Sequence, residues 1–314
     1  MAVQSRSDTL PLDALQRKPT SLWRDAFERL LKNRLAVVGG IIVILLALLA
    51  IFGPYLTPYS YRLGDTALIQ ELRGPANPGQ GGHLLGTDIL GRDLLSRIMD
   101  GARISMTVAI VVQIVTIGIG VPLGAIAGWY GGRIDNALMR FTDVVYAFPD
   151  LLFIILLSVV FKDTFFGKAL DGLLLVFVAI GVVSWVGVAR LVRGQLLSLK
   201  ETEFVEAARA IGVPDRKIVT RHLLPNSLGP IIIAITLGIP GAILAESLLS
   251  FIGIGVDPPR ASWGSLIVGG QEWMSSEPHL LIFPAIAIAL ALLSFTFLGD
   301  GLRDALDPKL KGKQ

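Results

Sequence analysis

Residues 203–226 read Glu203-Phe-Val-Glu-Ala-Ala-Arg-Ala-Ile-Gly-Val-Pro-Asp-Arg-Lys-Ile-Val-Thr-Arg-His-Leu-Leu-Pro-Asn226, a polar island between two long apolar segments. Phe204, Ala207, Ala208 and Ile211 fall at i, i+3, i+4 and i+7, the spacing of one apolar stripe on a short helix. Glu203 and Glu206 occupy its first turns, where the helix dipole favours negative charge, and Thr202 is placed to cap it. Gly212 supplies a residue able to take the left-handed conformation that ends a helix. Pro214, with its preset φ, starts a second helix that Pro225 is expected to close. The reading is a stiff helix–glycine–helix knob whose apolar stripe has no cover within its own segment and invites a partner's groove. A loop helix packed on the membrane surface is the plainer alternative.

The rest of the chain says where such a knob sits. Of 314 residues 53% are hydrophobic and 17% charged, with a mean hydropathy of +0.65, which excludes an ordinary soluble domain. The net charge of +3 argues for no nucleic-acid partner, and the absence of cysteine excludes disulfides and thiolate chemistry. A polar lead of about twenty residues is too long for a cleaved signal peptide, so the first apolar run is expected to remain as an anchor. Trp23, Phe27, Leu30 and Leu31 share a face of residues 21–34, which read as an interfacial helix or as an extension of the first span.

Apolar runs long enough to cross a bilayer, which takes roughly 20 residues, lie at Leu35–Tyr55, Thr107–Tyr130, Ala137–Phe161, Leu173–Leu197, Leu228–Leu249 and Leu280–Leu298. The fold expected is an all-α membrane protein with six transmembrane helices. Its parts are a segment 1–34, the first span 35–55, an extracytoplasmic loop 56–104, a core 105–303 carrying a cytoplasmic loop 198–226, and a tail 304–314. Gly120, Gly124 and Gly128 recur every fourth residue, the small-residue spacing that lets helix backbones approach in lipid. Lysine and arginine crowd the side that holds both termini and the knob, among them Arg24, Arg133, Arg140, Arg190, Arg193, Lys217 and Lys309, so that side is read as cytoplasmic.

Intramembrane charge is rare. Glu246, six residues after Pro240 in the fifth span, either lines a translocation path or sits structurally near the helix end, bonded to neighbouring backbone. Asp143, near the inner end of its span, is expected to pair with Arg140. Gly253 and Gly255 lack the following Lys-Ser/Thr of a phosphate-binding loop. His83, His222 and His279 are too far apart in sequence to suggest a metal site.

Glu206-Ala207-Ala208, Gly212 and Leu224-Pro225 together resemble the coupling motif of permease subunits in bacterial ABC importers. His222 stands where that family has isoleucine, and Arg221-His222-Leu223-Leu224-Pro225 resembles the form in its peptide-importing branch. Further resemblance lies in Gly86-Thr87-Asp88, Gly91-Arg92-Asp93, Ser96-Arg97 and Gly101-Ala102-Arg103, in Phe251–Pro259 with Ser262-Trp263-Gly264, and in the tail from Gly299. It covers about Ser21 to Lys311 and is nearest to the C-type permease of oligopeptide importers.

The resemblance implies a type I importer permease in the bacterial inner membrane, forming half of a pore for peptides. Its implied partners are a homologous second permease, two ABC ATPase subunits, an extracytoplasmic solute-binding protein, the peptide substrate and membrane lipid. It also implies no catalysis and no cofactor in this chain, since ATP and magnesium belong to the ATPases. Coupling would fall to Glu203, Phe204, Glu206, Ala207, Ala208, Arg209, Ile211, Gly212, Leu224 and Pro225. A permease for nickel or another small solute in the same family is the alternative. A secondary transporter using Glu246 and Asp143 would call for an internal repeat, and no repeat relates the two halves.

Overall fold

A computed structural model describes residues 22–306 except Asp171. The polar stretch 1–20 and the basic end of the tail, with Lys309, Lys311 and Lys313, fall outside the described residues. Among those described there is no strand, only two isolated bridges, Gly64 with Arg92 and Thr87 with Asp93.

The chain opens with α1 (Leu22–Lys32) and α2 (Arg34–Leu56), separated by Asn33, whose side chain accepts from the Ala36 amide. Trp23, Phe27 and Leu31 stay exposed on α1, while Ala26 is buried. α1 and α2 both lie against α13 (His279–Leu306), the last helix. A small helix, α3 (Thr66–Leu72), precedes α4 (Leu94–Tyr130). The helix α4 starts well before the apolar run at Thr107, because hydropathy marks where lipid begins and not where a helix can begin. Asp93 caps it, accepting from the Ser96 amide at 2.7 Å. Charged residues ahead of the apolar run form a buried polar cluster: Asp88 pairs with Arg92 at 2.7 Å and Arg97 at 3.3 Å, and His83 Nδ1 meets Asp93 at 2.9 Å.

The third apolar run is not one straight span. It breaks into α5 (Gly132–Ala147) and α6 (Asp150–Phe161), bent by 80°. Pro149 is the cause: its ring disfavours helical geometry at the residue before it, and Phe148 is extended at φ −78°, ψ 135°. A single turn, α7 (Phe165–Lys168), leads into α8 (Leu173–Leu199). The pairing expected between Asp143 and Arg140 does not form. Asp143 reaches across to Arg190 on α8 at 2.7 Å, and Asp135 takes Arg193 in a two-pronged contact. Both acids lie on the polar face of α5, which turns toward α8 and its basic end.

Then follow α9 (Glu203–Ala210), α10 (Asp215–Ile218), α11 (Leu224–Phe251) and α12 (Trp263–Gln271). Among the described residues five helices are long and apolar enough to cross a membrane, and the bent α5–α6 pair makes a sixth crossing if counted as one. The tightest partnership is α4 with α8. A methyl group built on Gly120 or Gly128 would lie 2.8 Å from the carbonyl oxygens of Trp185 or Arg193, and one on Gly124 would collide with that of Ala189. The four-residue glycine spacing is therefore the seam between these helices.

Gly124→Leu is expected to abolish recovery of folded protein from membranes, whereas Gly118→Leu, at a position with no neighbour within 4 Å, is expected to leave it intact. Size-exclusion profiles of the two purified variants give the comparison.

Candidate functional site: a helical knob joined to a membrane cavity

The knob forms as the sequence suggests up to Gly212. Thr202 occupies the N-cap position, but its hydroxyl bonds back to Leu199 O at 2.5 Å instead of capping α9. Gly212 has φ +74°. Here the amides of Gly212 and Val213 return to the carbonyls of Arg209 and Ala208, closing the helix end in the left-handed manner.

What holds α9 is not its predicted stripe. Val205, fully buried, packs with Ile218, Leu223 and Leu196, and Ala208 and Val213 lean on the same cluster. Burying side chains of this size outside the lipid contributes about 1.5–3 kcal/mol each. Arg209 lies over the Trp129 ring at 4.8 Å, a contact worth about 0.5–1 kcal/mol where exposed. The apolar anchors therefore dominate. The stripe itself faces out: Phe204 is 42% and Ile211 80% exposed, with Glu203, Glu206 and Ala207 exposed beside them. Val205 escaped sequence reading because a single valine among alanines carries no periodic signal until Ile218 and Leu223 are placed against it.

Pro225 does not close the second helix. The backbone runs from Asp215 to Phe251 as one apolar-to-polar rod, with a π-helical turn at Val219–Leu223. In that turn the Leu224 amide bonds to Val219 O, five residues back. Widening the coil just ahead of Pro225 accommodates a ring that would clash with a carbonyl in regular α-helix. Leu224 is half-buried. Pro225 lines a cavity of about 430 Å³ with Trp23, Asp25, Arg29, Asn226 and Arg303.

Further along the rod, one face of α11 (Gly238, Gly241, Ala242, Ala245 and Leu248) walls a partly open cavity of about 720 Å³. The other walls come from α4, α6 and α8, with Gln113, Thr116, Asp150 and Ser184 as its polar lining residues. Pro240 sits on α11 among these positions without lining the cavity. Glu246 flanks this face without lining the cavity and has no exposed surface. Its carboxylate accepts from Ser105 of α4 at 3.2 Å and Ser250 at 2.8 Å, and Ser250 lies 3.1 Å from Ser262, the cap of α12. Ser105 in turn accepts from the Trp263 amide, and Trp263 Nε1 donates to Ile98 O at 3.0 Å. The structure places Glu246 at the junction of α4, α11 and α12, hydrogen-bonded to side-chain hydroxyls. Gln113 and Thr116 were silent in the sequence because uncharged polar residues hardly change the hydropathy of a span.

A bundle of long apolar helices around a cavity, with a rigid knob on one end of a lining helix, defines a multi-pass membrane transport subunit. Residues 120–312 match the model of the binding-protein-dependent transport system inner membrane component family, and residues 21–75 that of the N-terminal transmembrane domain of oligopeptide transport permease C. The chain belongs to this family of ABC importer permeases, multi-pass proteins of the inner membrane. It is 43% identical over 298 residues to the oligopeptide transport system permease protein OppC of Haemophilus influenzae, covering 95% of this chain and 92% of the relative. It is 42% identical over 300 residues to the dipeptide transport system permease protein DppC of Bacillus subtilis, covering 95% and 89%. Identity to the glutathione transport system permease protein GsiD of Pectobacterium atrosepticum is 40% over 306 residues, covering 96% of each. Among solved structures, a chain of the inward-facing MetNI methionine ABC transporter shares the fold, with a TM-score of 0.54 at 19% identity over 67% of this chain and 96% of that one.

Replacing Glu246 by Ala strands the Ser105 and Ser250 hydroxyls, at a cost of about 1–3 kcal/mol for buried groups left unpaired. Glu246→Gln retains an acceptor for one of them. Thermal unfolding in detergent is expected to rank wild type above Gln and Gln above Ala.

Proposed function

We propose that this chain is the membrane half-pore of an ATP-driven peptide importer, non-catalytic in itself, worked by ATPases through the knob. The observation that carries this reading is mechanical: an exposed apolar face at Phe204 and Ile211 stands on a rod that is continuous with a wall of the 720 Å³ cavity. A partner that grips Phe204, Ala207 and Ile211, flanked by Glu203, Glu206 and Arg209 and backed by Ala208 on the buried cluster, moves α11 with it. Gly212 fixes the angle between grip and rod, and Leu224 and Pro225 lie where the π turn hands over to the span. The family supports ATPase and substrate-binding partners. The finer reading is two ATPases that carry ATP and magnesium, a homologous second permease completing the pore, and an extracytoplasmic binding protein that delivers peptide. The charge distribution supports cytoplasmic termini and a cytoplasmic knob, with the core at 105–303 and the loop 56–104 outside. The names of the oligopeptide and dipeptide relatives support peptide as substrate. ATP drives the cycle only if the ATPases bind it more tightly when the permease is in one of its two states.

The test is a pair of variants in the complete importer. Gly212→Leu forces a left-handed conformation on a residue that resists it by about 1–2 kcal/mol, and is expected to let ATP hydrolysis continue while peptide uptake falls severalfold. Ile211→Ser alters a side chain that is 80% exposed, so the isolated chain is expected to keep its thermal midpoint while ATPase subunits co-purify less. Coupled uptake at wild-type rate in both variants would overturn the knob's role.

A further inference from the structure

The cavity beside α11 has a lining that is almost wholly apolar, and Asp150 is the one ionisable side chain among the residues that line it. Against this background Gln113 and Thr116 stand out. They are 6% and 2% exposed, lie at i and i+3 on α4, and both line the cavity. Neither has a hydrogen-bond partner among the described residues; for Thr116 this is an orphaned, fully covered hydroxyl.

Several helical hydroxyls elsewhere in this chain behave otherwise, although those of Ser158 and Ser247 are unpartnered as well. Thr107, Thr142, Thr236 and Thr296 each donate to the carbonyl four residues back, as does Ser184, the cavity's other hydroxyl. Thr116 does not. A buried polar group without a partner costs about 1–3 kcal/mol, and in a lipid-embedded helix there was a free local remedy. The Gln113 carboxamide is likewise unbonded, and it packs directly against α11 at the cavity wall: a methyl group built on Gly238 would lie 2.9 Å from its Oε1 and 3.1 Å from its Nε2.

We propose that Gln113 and Thr116, whose covered hydroxyl a rotation about its Cα–Cβ bond would turn into the cavity, form a hydrogen-bonding station for the main-chain amides of a peptide in transit. This rests on the reading of the cavity as the path of a peptide importer. A carboxamide offers one acceptor and two donors and a hydroxyl offers both roles, which is the complement of a peptide N–H and C=O. Their axial separation, three residues of helix or about 4.5 Å, is comparable to the roughly 3.5 Å step of an extended chain. Neither group carries charge, so the station holds a passing amide weakly enough to release it. It reads what all peptides share, and the surrounding apolar wall makes no demand on side-chain charge. The volume of about 720 Å³ falls in the range of sites that enclose a small ligand.

The experiment uses the complete importer in proteoliposomes, supplied with saturating binding protein preloaded with a labelled tetrapeptide or with the same peptide N-methylated at its central amide. Uptake per loaded binding protein and ATP hydrolysis are both recorded. Wild type is expected to import the methylated peptide about five- to tenfold more slowly, the worth of one hydrogen bond. Gln113→Leu is expected to slow the unmodified peptide by a similar factor and to erase the difference between the two. Thr116→Val, which keeps the shape and loses the hydroxyl, provides the same comparison should the leucine variant fail to assemble. Equal slowing of both peptides, with their ratio preserved, would assign these residues to packing and overturn the station, as would wild-type rates throughout. If wild type imports neither peptide although ATP is hydrolysed, the peptide reading itself fails, and that outcome is distinct from the other two.

Discussion

Hydrocarbon gives an apolar helix little reason to turn an apolar face toward another helix, because lipid tails serve as well. The fold therefore depends on how closely α4 and α8 approach. Gly120, Gly124 and Gly128 remove every side chain from one edge of α4 over the stretch where Trp185, Ala189 and Arg193 present their carbonyls. Backbone then meets backbone, and dispersion between close-packed atoms replaces the missing hydrophobic drive. The α4–α8 pair is the frame on which α6 and α11 enclose the cavity.

Polar contacts complete what packing begins, and they do so where helices must be held at defined angles. The Glu246 carboxylate gathers hydroxyls from α4 and α11 next to the capped start of α12, so three elements share one node without exposing charge. The Asp135–Arg193 and Asp143–Arg190 pairs do the equivalent for α5, which Pro149 has turned away from the line of α6. At Glu246 and Asp135, whose carboxyl groups are buried, these bonds select an arrangement more than they stabilise it, and the exposed Asp143–Arg190 pair adds little stability.

Rigidity along one helix and freedom at its end account for the proposed lever. The π turn ahead of Pro225 lets a proline stand inside a rod that stays continuous from Asp215 to Phe251. Val205, Ile218 and Leu223 fasten α9 to that rod, leaving Phe204 and Ile211 outward. In the proposed coupling, a force applied at the knob would move a cavity wall through the Gly212 turn and the Val205 contacts.

The residue pattern alone determined the class of the protein: runs of apolar residues near bilayer length, glycines four apart, an amphipathic knob and basic residues on one side. Each of these is a local periodicity or composition, and local rules suffice to read them. Partner choice was not legible. Asp143 has Arg140 within its own helix but chooses Arg190, and Glu246 adds Ser105 of α4 to the nearby Ser250, because such contacts join residues tens to more than a hundred positions apart. The same holds for the path of the chain at Pro149 and Pro225. One proline breaks a span, and the other is absorbed into a rod behind a π turn. Only the tertiary structure decided which polar groups found partners and which, like Gln113 and Thr116, were left facing a cavity, since satisfaction of a buried polar group is a property of its surroundings and not of its sequence.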